Sequence, residues 1–538
     1  MTAPPAAPTA PPKVSEFLLG VPLSGVLVTL CVVLLAGWLP HYLTWPWWPD
    51  LDAFAAIAQG WDAGIRPYRD VALFNFPGQI ELFWLLGTSF GWGRTAPIYA
   101  VDAALLVVLG LVMSAWSRRS FGRSSPGLVG FVALLHYYLS LDYAVVAQRD
   151  WQGPLLVVLG MMLVQVWPGL AGSMGSGLLF GLAFVIRPHV LLFTPAVALV
   201  VAMSASASPA SGGPGGRPHT RTRGLLAWAV AASMGAAAGF APLAAQGLLG
   251  DFVRGVRQAG YGRYGEYPVS LVVKVINQLG EPRLAMGSAL AVAAALVAPS
   301  QIRRLALPWV LMLVLVLVYR PLHPLRHAYL AHPLWLIWSI NLAVITGAAV
   351  TAWKRRPWLA LGSLGLVLAL ASPGVPRFCD MGASVRALGD LGRRIEPARV
   401  PLGAAAHFAP VDPNSPYTWD QYRDVLAYLR LRTGPHTQVA NLLRNVPFPG
   451  LNGTVGRISP LRADSGIIWL YALDPALEAD FARSLEAADD AVVVWIPGER
   501  SFDMRLQIPI LERTVPQFYR PEARLGGIQV WRRLPRPR

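Results

Sequence analysis

Charge is what this chain has least of. Asp, Glu, Lys and Arg make up 14% of its 538 residues, where a soluble globular protein carries roughly 25%. So few charges exclude a water-facing surface over the whole chain. Hydrophobic residues make up 54%, and several apolar runs reach the ~20 residues that span a bilayer as helix. The chain reads as a multispan membrane protein. Cysteine is nearly missing: Cys31 lies in an apolar run and Cys379 follows the last one. No disulfide framework or cysteine metal site is supported. There is no HExxH and no Gly-rich nucleotide loop, which argues against a zinc protease and a nucleotide-sugar donor. No internal repeat is visible, against the expectation for many transporters.

Acidic residues are the scarcer sign, 29 against 45 basic, for a net charge of +16. The excess sits in arginine clusters between apolar runs. No basic surface interleaved with stacking aromatics occurs, so the charge points to membrane topology and not to nucleic acid.

Eleven spans are expected, near 22–40, 95–116, 127–145, 153–168, 175–186, 190–203, 225–247, 284–299, 305–319, 329–350 and 357–373. Residues 1–16 are a Pro/Ala-rich tail, residues 17–375 the membrane domain. With the N-terminus cytoplasmic, the loops 117–126, 204–224, 301–304 and 353–356 face the cytoplasm. Each is rich in arginine or lysine and has no acidic residue, as the positive-inside rule requires. The loops 41–94, 146–152, 187–189, 248–283 and 320–328 then face outward together. Residues 376–538 differ in kind. Helices are expected at 420–432 and 477–488, and strands at 491–495 and 526–531, giving a small external α/β domain. Asn452-Gly-Thr454 matches a glycosylation sequon, a three-residue pattern of low specificity.

The outward loop Trp45–Gly78 is too polar to cross a bilayer and carries Asp50, Asp52, Asp62 and Asp70. Ala53, Phe54, Ile57, Ala58 and Trp61 form one helical stripe, so a short helix lies on the membrane surface. Gly64 ends it, and Pro67 and Pro77 keep the rest irregular. Gln79–Phe90 is apolar but short and reads as a second surface helix. Asp50, Phe54, Ile57-Ala58, the segment Gly64-Ile-Arg-Pro-Tyr68-Arg-Asp70, and Asn75-Phe-Pro77-Gly78 stand in a distinctive order. This order resembles the first external loop of GT-C-type glycosyltransferases, specifically the protein-mannosyltransferase and aminoarabinose-transferase branch. Asn75-Phe-Pro-Gly departs from that branch's Lys-Pro-Pro-like turn, lacking its lysine and one proline.

The resemblance covers roughly residues 20–350. It implies a plasma (inner) membrane enzyme that moves a sugar, with inversion, from a polyprenyl-phosphate donor to an external lipid, glycan or protein acceptor. Such a transfer needs a base for the acceptor and cations or dipoles for the departing phosphate. Asp50 is the candidate base, with helix capping as its competing role; Asp52 is second choice. Asp150, in Gln148-Arg149-Asp150, is the third acidic candidate, orienting the acceptor, holding Arg149 or forming a local ion pair. Arg187-Pro188 interrupts an apolar stretch. An arginine there is costly unless it meets water, an anion or a partner, and a lipid-phosphate contact competes with snorkelling. Arg326, with His323, His327 and Arg149, completes the candidate phosphate set. Tyr68, Asp70, Arg263, Tyr264 and Tyr267 are candidates for the substrate pocket, Asp70 alternatively fixing the loop. The sequence names no cofactor. A divalent cation is compatible with such chemistry, but no residue cluster points to a metal site. Two rival readings are a transporter or flippase of lipid-linked glycans and an inactive scaffold of the same fold.

Overall fold

The computed structural model describes residues 17–18, 21–73, 75–141, 143, 145–205, 218–258, 288–293, 296, 300–322, 328–352, 419–443, 450–462, 475–497 and 509–535. Much of the eighth expected span, all of the eleventh and residues 353–418 lie outside them. A short strand pair, β1 (Phe17–Leu18) and β2 (Val21–Pro22), precedes the first helix.

The helical body comprises α1 (Leu23–Tyr42), α2 (Pro49–Asp62), α3 (Gly78–Phe90), α4 (Ala96–Phe121), α5 (Ser125–Leu139), α6 (Arg149–Val166) and α7 (Leu170–Ile186). A 3-10 turn, Pro188–Phe193, leads to α8 (Thr194–Ala205), α9 (Pro218–Ala245) and α10 (Leu249–Gln258). Then come α11 (Ser300–Leu322), a 3-10 turn at Ala328–Ala331, and α12 (His332–Ala352). Among the described residues, five stretches are long and apolar enough to cross a membrane: Leu23–Pro40, Ala96–Phe121, Arg221–Ala245, Ile302–Tyr319 and Tyr329–Thr351. The expected spans over α5, α7 and 190–203 are shorter apolar helices.

Local chemistry explains the boundaries. Pro97 stands in the first turn of α4, Arg118 and Arg119 sit in its last turn, and Gly122 follows in the left-handed conformation. The cations complement the negative end of the helix dipole. Apolar side chains such as Leu111, Leu226 and Val314 are exposed, which suits lipid contact on a body whose backbone bonds are closed within helices. Small residues bring α7 against α9. A Cβ at Gly181 would lie 2.1 Å from the Ala232 carbonyl oxygen, so the two backbones touch.

The C-terminal unit contains α13 (Trp419–Arg432), β3 (Gln438–Asn441), the single turn α14 (Asn452–Val455), α15 (Pro475–Ala487), β4 (Ala491–Trp495), α16 (Pro509–Phe518), β5 (Tyr519–Leu525) and β6 (Ile528–Arg533). Its sheet runs β3-β4-β6-β5, with β3 parallel to β4 and the other pairs antiparallel. Strand β4 is buried along its whole length. Val492 and Val494 pack toward Tyr422, Val425 and Leu429 of α13. Val493 and Trp495 pack toward Phe481 and Leu485 of α15. Burial on both faces accounts for the unbroken Ala-Val-Val-Val-Trp run.

The loop Trp45–Gly78 lies between the two parts. Its amides and carbonyls are tied to the C-terminal unit: Gly450 N–H donates to the Trp47 carbonyl at 3.0 Å and Ala72 N–H to that of Arg462 at 2.7 Å. On the other side, the Trp61 indole donates to Gln246 at 2.7 Å.

Candidate functional site

Asp50 stands in the first turn of α2, which begins at Pro49 with no side-chain cap. The helix starts before residue 51, so Asp50 lies within it. Its charge favours the helix N-terminus through the dipole without serving as the capping residue. The Tyr329 hydroxyl donates to Asp50 Oδ2 at 3.4 Å. Tyr329 also lies within electrostatic reach of Asp150, Arg149 and Arg187. Phe54, one turn after Asp50, carries the Arg149 guanidinium over its ring at 5.4 Å, a cation–π contact.

Asp150 is in the first turn of α6 and fully buried. Its Oδ1 is 2.8 Å from Arg187 Nε and accepts a hydrogen bond from the Tyr319 hydroxyl at 2.9 Å. Arg187 is 3% exposed, which excludes snorkelling. Its position follows from the next residue: Pro188 disfavours helix at 187, and Arg187 is extended, at φ −146° and ψ 100°. Close approach also requires Gly153, because a Cβ there would lie 2.9 Å from Arg187 Cβ. Asp150 therefore holds Arg187, not Arg149.

The turn before α6 is itself held. Ala147 has a left-handed backbone, at φ 54°, which costs a non-glycine residue about 1 kcal/mol. The Tyr138 hydroxyl accepts its N–H at 3.1 Å, and the Gln152 side chain donates to its carbonyl at 3.3 Å. His332 Nε2 lies 2.5 Å from the Val145 carbonyl and Nδ1 2.9 Å from the Tyr137 hydroxyl. A carbonyl only accepts, so Nε2 carries the proton and Nδ1 accepts from Tyr137. Behind this turn, Asp102 of α4 takes the hydroxyls of Tyr42 at 2.5 Å and Tyr138 at 2.7 Å.

Asp52 faces elsewhere. It is fully buried against the C-terminal unit, where its Oδ1 accepts from Thr454 N–H at 2.7 Å and Thr454 Oγ1 at 2.9 Å. It caps the single turn α14 from another part of the chain. Burial raises its pKa to about 6, and the hydrogen bonds from Thr454 oppose that rise. Asn452 of the sequon is 1% exposed, so the folded chain offers it to no glycosylating enzyme.

Tyr68 is left-handed, at φ 65°, and donates to the Asn75 carbonyl at 2.7 Å. It is buried within reach of Glu81 and Arg149. Asp70 pairs with Arg66, whose hydrogen bonds lower its pKa; it fixes the loop. Arg263, Tyr264, Tyr267, His323, Arg326 and His327 lie outside the described residues. Among the described residues, no three His, Cys, Asp or Glu side chains gather as a metal site.

Sequence reasoning missed Tyr329, Tyr319, Asp102 and Glu81. Glu81 is half-buried at the start of α3, and burial pushes its carboxyl up to about 7. Tyr329 and Tyr319 gave no signal, since a tyrosine at a span end reads as an interfacial aromatic. A lone Asp102 within a span was the one detectable sign.

The helical body with its membrane-length apolar helices, the acidic helix α2 and the small α/β unit packed on α2 form an arrangement shared with solved structures of the GT-C fold, and the chain has that fold. The particular likeness is to the crystal structure of ArnT from Cupriavidus metallidurans bound to undecaprenyl phosphate. The two chains are 14% identical over 96% of this chain and 99% of that one, with a TM-score of 0.53. The Archaeoglobus fulgidus oligosaccharyltransferase, in complex with zinc and sulfate, is matched at 12% identity over 88% of this chain and 68% of that one, with a TM-score of 0.41. No family model matches the chain, and no curated protein matches it.

Proposed function

We propose that this protein is a membrane glycosyltransferase that moves a sugar from a polyprenyl-phosphate donor to an acceptor at the external face. The carrying observation is the cluster around Tyr329: Asp50 on its hydroxyl at 3.4 Å, with Arg149, Asp150 and Arg187 within electrostatic reach. A carboxylate beside guanidinium groups at a membrane boundary is the combination that this transfer needs. The GT-C fold supports the same reading. The positive-inside pattern of the loops supports the external placement of this cluster and of the C-terminal unit.

In this reading Asp50 takes the proton from the acceptor's hydroxyl or amine. The freed oxygen or nitrogen attacks the anomeric carbon on the face opposite the phosphate. The bond from that carbon to the phosphate oxygen breaks, its electron pair leaves with the polyprenyl phosphate, and the configuration inverts. Arg149 and Arg326 meet the phosphate charge. Arg187, bonded to Asp150, positions the start of α6 and therefore Arg149. Tyr329 orients Asp50.

Profiling the lipids of cells that lack this protein tests the proposal. Accumulation of one polyprenyl-phosphate sugar, with loss of one sugar from an envelope component, is expected. An unchanged polyprenyl lipid pool would overturn it.

A further inference from the structure

Two groups of the proposed transfer site come from distant parts of the chain. Tyr329, which meets Asp50, lies in the 3-10 turn just before α12. Arg149 opens α6, so the turn before that helix decides where its side chain starts. His332, the first residue of α12, touches that turn.

The His332 imidazole is fully buried and uses both nitrogens. Nε2 donates to the Val145 carbonyl at 2.5 Å, and Nδ1 accepts from the Tyr137 hydroxyl at 2.9 Å. The rings of Tyr137, Tyr138 and Trp151 stand around it, with centroids 5.9, 5.9 and 6.2 Å away. A turn of the ring would break both bonds, and a buried polar group without its partner is costly.

Val145 stands two positions before the left-handed Ala147, whose N–H is held by Tyr138. The turn is therefore gripped twice, from α5 at Ala147 and from α12 at Val145. A non-glycine residue keeps such a backbone only where its surroundings over-determine it. Arg149 follows four positions after Val145, and Tyr329 stands three before His332. A shift at the bond between them moves Arg149 relative to Tyr329 and Asp50.

We propose that His332 is a positioning residue for the transfer, tying the turn that carries Arg149 to the segment that carries Tyr329. The proposal rests on the function given above, in which Asp50 is the base and Arg149 meets the phosphate. No proton passes through His332. Its place requires a donor on one side and an acceptor on the other. A glutamine amide offers both, and its nitrogen stands about as far from the backbone as Nε2 does.

The test uses the full chain in lipid nanodiscs and has two arms. The first, hydrogen exchange read by mass spectrometry, needs no turnover. His332→Phe keeps a flat ring and removes both nitrogens. Exchange should rise in the turn 145–149 and in the 3-10 turn 328–331, and stay unchanged in the sheet of the C-terminal unit. The second arm measures release of polyprenyl phosphate from a panel of polyprenyl-phosphate sugars, per folded molecule. In His332→Phe, kcat should fall about tenfold or more, toward the ~10²-fold that a 1 Å misplacement costs. The donor KM should change less, because the charge that Arg149 meets develops in the transition state. His332→Gln should recover most of the rate. Tyr137→Phe, a milder change, removes only the hydroxyl on Nδ1 and should move both arms in the same direction; it decides them if His332→Phe does not fold. A histidine that only packs predicts less folded protein with kcat unaltered, and no advantage of Gln over Phe. Unchanged exchange in the turn 145–149, wild-type kcat in the variants, or equal rates for Gln and Phe at 332 would overturn the proposal. A wild type that consumes no donor would overturn the transfer reading instead, and the exchange arm would still decide the coupling.

Discussion

Asp50 and Asp52 are two residues apart on one helix, so their side chains leave it about 200° apart. One meets Tyr329 and the other Thr454. Asp52→Ala would leave the Thr454 N–H and hydroxyl without their acceptor, at about 1–3 kcal/mol. Asp52→Asn keeps Oδ1 and should cost much less; denaturant unfolding compares the two. The raised pKa of Asp52, about 6 against an ordinary 3.8, sets the sign of a pH effect. The folded chain holds this proton more tightly than the unfolded chain. Its contribution is therefore fully present below pH ~4 and is lost as pH rises toward ~6. Asp52→Asn should remove that component of the slope. A wild-type slope unchanged by the substitution would show that other groups set it.

At the scale of elements, the buried Asp150–Arg187 pair ties α6 to the break after α7. Removing one partner strands the other charge, which costs about 3–5 kcal/mol. Asp150→Ala should therefore destabilise strongly, and Asp150→Leu combined with Arg187→Met should recover much of the loss. Gly153→Ala should also destabilise, by about 1–3 kcal/mol, through overpacking against Arg187. Thermal unfolding of the purified variants reads all three. Arg187 announced itself in the sequence, since an arginine before Pro188 in an apolar stretch demands an explanation. Asp150 also stood out, but as a possible partner of Arg149; its pairing with Arg187 was not legible, because the two are remote in sequence and no local spacing links them. The same limit hid the Asp102–Tyr42–Tyr138 cluster, whose members come from three helices. The helical stripe of α2 was legible, but a stripe does not say what each side of the helix meets. For that reason Asp52 read as a second catalytic choice when its neighbours are Thr454 and Gly450. Strand β4 was visible as an unbroken apolar run, and α13 and α15 by their periodicity. The short strands β3 and β5 carry no comparable pattern.

At the scale of the whole molecule, the basic loops predict that the 204–224 linker and the C-terminal unit lie on opposite sides of the membrane. Cysteines placed in that linker and at Leu431, which is 83% exposed, test this after replacement of Cys31 and Cys379. Labelling of the two from opposite sides is expected; labelling of both from one side would undo the orientation and the outward position of the site. The chemistry itself is tested most directly by turnover. The purified chain is reconstituted in lipid with a panel of polyprenyl-phosphate hexoses and pentoses and a cell-envelope extract as acceptor, and release of polyprenyl phosphate is measured. We expect one donor to be consumed by the wild type, with the rate falling ~10²-fold or more in Asp50→Asn, the usual worth of a general base, and the fold preserved. Equal release by wild type and Asp50→Asn, or consumption of no donor, would contradict the account.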